Sequence, residues 1–331
     1  MISRSTDPLA ANEHNSGEPA GFEFCKTDMH IKHTAWILVL SGLTLGQADP
    51  PPQPPKPAAT ASLPASSLSE GRIRELIRLS ADKDLENDKK LRDYTYVERD
   101  EERKFDGKGN VKSTETKTYD VMEIYGEQVQ KLIAKDDKPL SEKDAKKEDD
   151  KIQKLIDKRK NESEDGRKKR LAKEEKDREE NRQFVREVAD AYNFKFVGVE
   201  TIDDRENYVI DGDPKPGYEP HLKQARILPK FRFRGWIDKD ETEWKKLDIQ
   251  CIDTVSYGWF IARLHKGSRI VLEQTRVNGE VWLPQHVNVK IDARFALLKE
   301  FNLGFDIAYR DYKKFRTDTK IIPLGEGAGK P

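Results

Sequence analysis

Cysteine is scarce in this chain, which has 331 residues and only two cysteines, Cys25 and Cys251. A disulfide between them requires the N-terminus to be retained, and a leader sequence described below predicts its removal. We therefore expect a single free thiol in the mature monomer rather than a disulfide framework. Cys251 follows Leu247 and Ile249 at a spacing of two, which favours a small buried side chain over a reactive thiol.

Net charge is absent as well, since lysine plus arginine and aspartate plus glutamate each total 61. This balance argues against a general preference for nucleic acid or for an anionic membrane. The apolar fraction of 35% is low for a globular chain of this length. The shortage is local, because residues 135–183 are nearly all charged, whereas residues 184–315 are rich in apolar and aromatic side chains. One core domain with a polar insertion fits this distribution better than two equal domains.

Motifs for catalysis and metal binding are missing. The histidines after the leader are His221, His265 and His286, and none has a metal-ligand spacing with Cys251. The sequence has no HExxH motif, no glycine-rich phosphate loop after a strand and no G-x-S-x-G elbow. We therefore predict no catalytic residue, no metal and no cofactor, and an enzyme such as a hydrolase is only a third alternative.

The clearest targeting feature is an export signal at residues 29–48. It has a basic start around Lys32, an apolar run at residues 35–45 and small residues suited to cleavage after Ala48. The run is too short to span a bilayer as a helix, and no cysteine follows it for lipid attachment. We expect a periplasmic mature chain without a transmembrane anchor, and residues 1–28 as a non-native upstream extension.

The rest of the chain divides by composition. Residues 49–69 are rich in proline, which predicts an extended linker. Residues 70–316 form the predicted core domain, and residues 317–331 a flexible tail. Within the domain, residues 141–183 carry mixed charges at helical spacing, which predicts solvated helices. A run of four basic residues there is surrounded by acidic residues, so a nucleic-acid site is not expected.

Turn chemistry and alternation predict antiparallel strands over much of the domain. Asn278 and Gly279 separate two strand-like runs, and this pair favours a type I′ hairpin turn because both positions need a positive φ. After it, Val287 and Val289 alternate with polar residues such as His286. A period of two indicates one buried face and one solvated face.

Several motifs in this domain resemble the bacterial outer-membrane lipoprotein-sorting family, which is similar to the carrier LolA and to RseB-like stress sensors. The matching positions are Trp236, Asp238, Gly279, Trp282, Pro284, Tyr312 and Phe315. The resemblance implies an α+β fold with a strongly curved antiparallel sheet, an unclosed half-barrel, whose concave face is covered by helices. It also implies a cavity that shields acyl chains or lipidated proteins in the periplasm. The long charged helical insertion departs from the small carrier.

Candidate ligand-binding residues follow from this architecture and from the apolar alternation. The predicted inward-facing residues of the sheet are Phe231, Phe233, Leu247, Ile249, Trp259, Ile261, Val287, Val289, Phe305 and Ile307. The predicted helix-lid residues, at helical spacing, are Ile73, Leu76, Ile77, Phe184, Val188 and Tyr192. The same apolar positions are equally consistent with a fully packed core that has no space for a ligand.

Two functions remain open from the sequence. The first is a non-enzymatic periplasmic binder or carrier of an acyl chain or lipoprotein. The alternative is a cell-envelope sensor or scaffold whose charged helices bind a protein partner.

Overall fold

The structure is a computed structural model, and it describes residues 68–257, 262–295 and 299–315. The export signal, the upstream extension, most of the linker and the tail predicted above lie outside the described residues. Within these ranges the helices are α1 (Glu70–Leu91), α2 (Glu142–Lys160), α3 (Glu164–Ala191) and a 3₁₀ helix (Lys223–Lys230). No helix among the described residues is long and apolar enough to cross a membrane.

The described strands form one antiparallel sheet. Their bounds are β1 (Tyr94–Phe105), β2 (Val111–Ile124), β3 (Glu127–Lys135), β4 (Lys138–Pro139), β5 (Tyr192–Ile202), β6 (Arg205–Pro214), β7 (Phe231–Asp238), β8 (Trp244–Cys251), β9 (Val255–Tyr257), β10 (Ala262–Leu264), β11 (Arg269–Val277), β12 (Val281–Phe295) and β13 (Lys299–Lys314).

The spatial order is β4-β3-β2-β1-β13-β12-β11-β8-β7-β6-β5, with the short β9–β10 hairpin attached to β12. The end strands β4 and β5 do not pair with each other, so the sheet is not closed into a barrel. This arrangement confirms the predicted α+β class and the unclosed half-barrel.

The register aligns one apolar face across the middle of the sheet. Phe233 lies opposite Ile249, Ile249 opposite Ile270, Ile270 opposite Val289, and Val289 opposite Phe305. Directly opposed residues point to the same side of a sheet. The alternation in the sequence therefore identified a real face, which we call the inner face.

Helix α1 crosses the inner face. Ser69 caps its N-terminus, because its hydroxyl accepts a hydrogen bond from the backbone N–H of Arg72 at 3.3 Å. Residues Ile73, Leu76 and Ile77 are 1–2% exposed. They share a core with apolar side chains of β6, β7 and β8, and further along the helix contacts β12. The helix thus covers several consecutive strands.

The charged insertion forms α2 and the first part of α3, with the break between them near the predicted position. No residue of α2 is buried, and it is attached to the sheet partly by an ion pair between Arg159 and Glu127. The C-terminal part of α3 is different. Phe184 and Ala189 are buried against the sheet and α1. The N-terminal part of α3 is therefore solvated, and its C-terminal part packs in the core.

The family-like motif residues join neighbouring strands. Asn278 and Gly279 have φ of 51° and 71°, as the type I′ prediction requires. The indole N–H of Trp282 donates to Glu241 at 2.7 Å, and the hydroxyl of Tyr312 donates to the carbonyl of Pro284 at 2.6 Å. These positions hold turns and strand ends together.

Candidate functional site

A cavity of about 130 Å³ lies between α1, α3 and the inner face at β7 and β8, and it is partly open. Most of its surface is apolar. It is lined by Ile77, Ala81, Asp84, Leu85, Asp88, Asn181, Phe184, Val185, Val188, Tyr192, Leu228, Phe231, Phe233, Trp244, Leu247 and Ile249. We call this space the helix–sheet cavity.

Eight of the residues predicted from the sequence line this cavity. On the sheet they are Phe231, Phe233, Leu247 and Ile249, and on or beside the helices they are Ile77, Phe184, Val188 and Tyr192. The structure thus brings the predicted sheet residues and lid residues together at one end of the inner face. Their role in ligand binding stays a prediction.

The other predicted residues lie elsewhere. Ile73 and Leu76 are buried in the packed core under α1. Val287, Val289, Phe305 and Ile307 occupy the inner face on β12 and β13 but do not line the cavity. Trp259 and Ile261 fall outside the described residues.

Two glycines help to shape the wall. A Cβ atom built on Gly212 would lie 2.5 Å from the ring of Phe233, and one on Gly235 would lie 2.5 Å from the ring of Trp244. Each aromatic ring therefore lies directly on the backbone of an adjacent strand. Tyr192 is fixed by a hydrogen bond from its hydroxyl to the carbonyl of Leu228 at 2.9 Å.

The sequence reasoning missed the polar side of the cavity. Asp84 and Asp88 extend the α1 face that begins at Ile77, at the i+7 and i+11 positions, so helical spacing contained the signal. Ala81 and Leu85 lie on the same face of α1, at the i+4 and i+8 positions from Ile77, and helical spacing contained the signal for them as well. Leu228 belongs to the 3₁₀ helix, which the sequence analysis did not predict.

Burial changes the acidity of these aspartates. Burial raises the pKa of Asp84 to about 6, although a hydrogen bond from Gln274 works in the opposite direction. Burial also raises the pKa of Asp88, against the charges of Arg92 and Arg178. Desolvation disfavours the charged carboxylate, and a cation brought close would offset that cost.

Other reactive groups in the described residues do not form a site with this cavity. Burial raises the pKa of the Cys251 thiol to about 11, and the side chain is 1% exposed. Glu98 and Asp100 are paired carboxyl groups on β1; burial, and then the charge of Asp100, raise the pKa of Glu98. No group of three or more potential metal ligands occurs among the described residues.

Comparison with known proteins gave structural similarity only. No family model and no curated protein sequence matches the chain. Among solved structures, the chain is similar to a domain described as an outer membrane lipoprotein-sorting protein from Vibrio parahaemolyticus. The two share 12% identity over 73% of this chain and 95% of that one, at a TM-score of 0.28.

Two further structures match at the same TM-score of 0.28 and the same 73% coverage of this chain. One is a DUF1329 family protein from Desulfovibrio piger, at 13% identity over 92% of its length. The other is a LolA superfamily protein from Nitrosomonas europaea, at 9% identity over 93% of its length. These are structures of the group that the sequence motifs resemble, and a TM-score of this size establishes no shared function.

Proposed function

We propose that this chain is an exported, non-enzymatic binder that holds an acyl chain of a lipid or lipoprotein in the helix–sheet cavity. The observation that carries the proposal is the cavity itself, a partly open space of about 130 Å³ walled mainly by apolar side chains. An apolar cavity of about 150 Å³ in another protein stays dry and binds benzene. A segment of alkyl chain is of the same scale, and burying each CH₂ group contributes about 0.8 kcal/mol.

The predicted export signal agrees with this role, because lipids and lipoproteins in transit through an aqueous compartment need their acyl chains covered. The aromatic and aliphatic wall offers dispersion contacts without a catalytic group. A periplasmic location and an acyl cargo are both parts of the proposal.

The test is binding of a neutral fluorescent apolar probe, such as N-phenyl-1-naphthylamine, to the mature protein and two variants. Val188→Phe adds a ring inside the cavity and should weaken binding by about tenfold or more, a loss of about 1.4 kcal/mol. Val197→Phe is the matched control, since Val197 is 42% exposed and lies outside the cavity. Equal binding by all three proteins would place the probe elsewhere and contradict the proposal.

Native mass spectrometry after gentle ionisation provides a second readout. A co-purifying amphiphile should be present in the unmodified protein and reduced in Val188→Phe. Absence of both probe binding and co-purifying lipid would count against an acyl-chain binder.

A second candidate function is docking of an envelope protein on the charged helices. It is favoured by α2, a helix of 19 residues without a buried residue. Replacing residues 142–160 with a flexible linker should leave the sheet folded and remove the partner from a pull-down. An unchanged set of captured envelope proteins would argue against this function.

A further inference from the structure

The helix–sheet cavity has a polar neighbour near the C-terminal end of α1. This smaller space, of about 30 Å³, is lined by Asp84, Asn87, Asp88, Leu91, Gln274, Trp282, Leu283 and Pro284. We call it the polar hollow. Asp84 and Asp88 line both spaces, so they stand where the apolar cavity meets the polar hollow.

The polar hollow presents hydrogen-bond acceptors. Gln274 is 6% exposed, and its Nε2 donates to Asp84 Oδ1 at 2.8 Å. That bond fixes the orientation of the amide, because a carboxylate oxygen accepts and does not donate. The Oε1 of Gln274 is left buried, without a hydrogen-bond partner among the described residues. A buried acceptor of this kind destabilises the fold unless something donates to it.

The donors around the polar hollow are already engaged. Asn87 donates its amide N–H to Glu243 at 3.0 Å, and the indole N–H of Trp282 donates to another glutamate at 2.7 Å. None of the residues lining either space is a lysine or an arginine. A ligand group entering here therefore meets two carboxyl groups beside the side-chain amide of Gln274.

Two arginines lie close enough to Asp88 to influence its pKa, namely Arg92 and Arg178. Both are also held by Glu174 of α3, at 3.5 Å and 3.7 Å. Their charge is thus shared with a third carboxylate. Lys89 also lowers the pKa of Asp88, but it is exposed and lines neither space.

Resting on the proposed acyl-chain binding, we propose that the polar hollow is a head-group subsite for a primary ammonium group. The alkyl chain lies in the helix–sheet cavity, and the ammonium group donates to Gln274 Oε1, Asp84 and Asp88. An ammonium carries three donors, which matches the three acceptors. Its size suits the hollow, since a space of about 10–15 Å³ already holds one water-sized group. An anionic head group is disfavoured by charge repulsion.

The experiment displaces the neutral probe from the mature protein near pH 7.5 with three ligands of equal chain length. These are decylamine, decanol and decanoate. The amine should displace the probe at a concentration about tenfold or more below that of decanoate, a difference of about 1.4 kcal/mol, since hydrogen bonds between charged groups are stronger than those between neutral groups. Decanol should fall between them.

The double variant Asp84→Asn with Asp88→Asn should bring the amine-to-carboxylate ratio to within about threefold. Asp82→Asn is the matched control, because Asp82 is exposed on the same helix and lines neither space. It should keep the full ratio. Displacement by decanol also reports whether each variant retains the folded cavity.

Equal displacement by amine and carboxylate, or a preference that persists in the double variant, would overturn the subsite while leaving acyl-chain binding intact. Failure of the probe and of decanol to bind would overturn both proposals. Lysophosphatidylethanolamine and an N-acylated peptide with one free amino group then distinguish a lipid source from a peptide source. Displacement by either one that depends on the two aspartates supports the subsite, and displacement by neither contradicts it.

Discussion

Glu243 provides a sharp test of the electrostatics beside α1. The residue is 7% exposed, and its carboxylate accepts a hydrogen bond from Asn87 at 3.0 Å. Burial raises its pKa from 4.5 to about 7, against the effects of Asn87 and Lys83. The folded protein therefore holds a proton on Glu243 at pH values where the unfolded chain has lost it.

The sign of the pH effect follows from this difference. Between about pH 4.5 and pH 7 the folded state binds more protons, so the free energy of unfolding falls as pH rises. A shift of this size corresponds to about 3 kcal/mol at pH 8, at 1.36 kcal/mol for each pH unit. Glu243→Gln keeps an acceptor for Asn87 and cannot ionise. We predict that it stabilises the protein by up to about 3 kcal/mol at pH 8 and by little at pH 4.5.

The assay is urea unfolding of the wild type and Glu243→Gln at both pH values. Glu86→Gln is the control, because Glu86 is exposed on α1 next to Asn87. It should change stability by less than about 0.5 kcal/mol at either pH. An equal effect of Glu243→Gln at pH 4.5 and pH 8, or destabilisation at pH 8, would refute the reasoning.

Three further predictions concern the fold and its processing. Arg205→Ala leaves the Asp238 carboxylate, which is 1% exposed, without the guanidinium that binds it at 2.6 Å, and should lower the free energy of unfolding in urea by about 3 kcal/mol. Arg234→Ala breaks a more exposed ion pair and should lower it by less than about 1 kcal/mol. Equal losses in the two variants would contradict this account. Leu76→Ala should cost about 2–5 kcal/mol because Leu76 is 2% exposed, whereas Leu79→Ala, at 42% exposed, should be near neutral; a reversed order would refute the assigned helix face. N-terminal sequencing of the exported protein should begin at Asp49, and a mature chain that still carries Met1 would rule out the predicted cleavage.

Local patterns predicted the elements of this fold well, for physical reasons visible in particular residues. Asn278 and Gly279 adopt positive φ, as their turn requires. Val287 and Val289 share the inner face with Ile249 through the ladder, because a period of two follows from strand geometry alone. Helical spacing at Ile73, Leu76 and Ile77 likewise identified a buried stripe.

The location of the cavity could not be predicted in the same way. It depends on contacts between distant parts of the chain, such as the one that joins Asp84 to Gln274. The sequence pattern treats Ile307 and Phe233 alike, yet only Phe233 lines the space that α1 and α3 leave open. Which part of an apolar face is packed and which part is left uncovered is decided by the path of the helices across the sheet.

The most direct test of the central claim uses Trp244, which lines the helix–sheet cavity. An alkyl ligand brominated along its chain quenches the fluorescence of a tryptophan that it contacts. Trp236 is the control, because its sheet neighbour Lys246 and its place next to Gly235 put it on the opposite face. We predict that most of the quenching is lost in Trp244→Phe and retained in Trp236→Phe. Quenching that is unchanged in Trp244→Phe would contradict an acyl chain in this cavity.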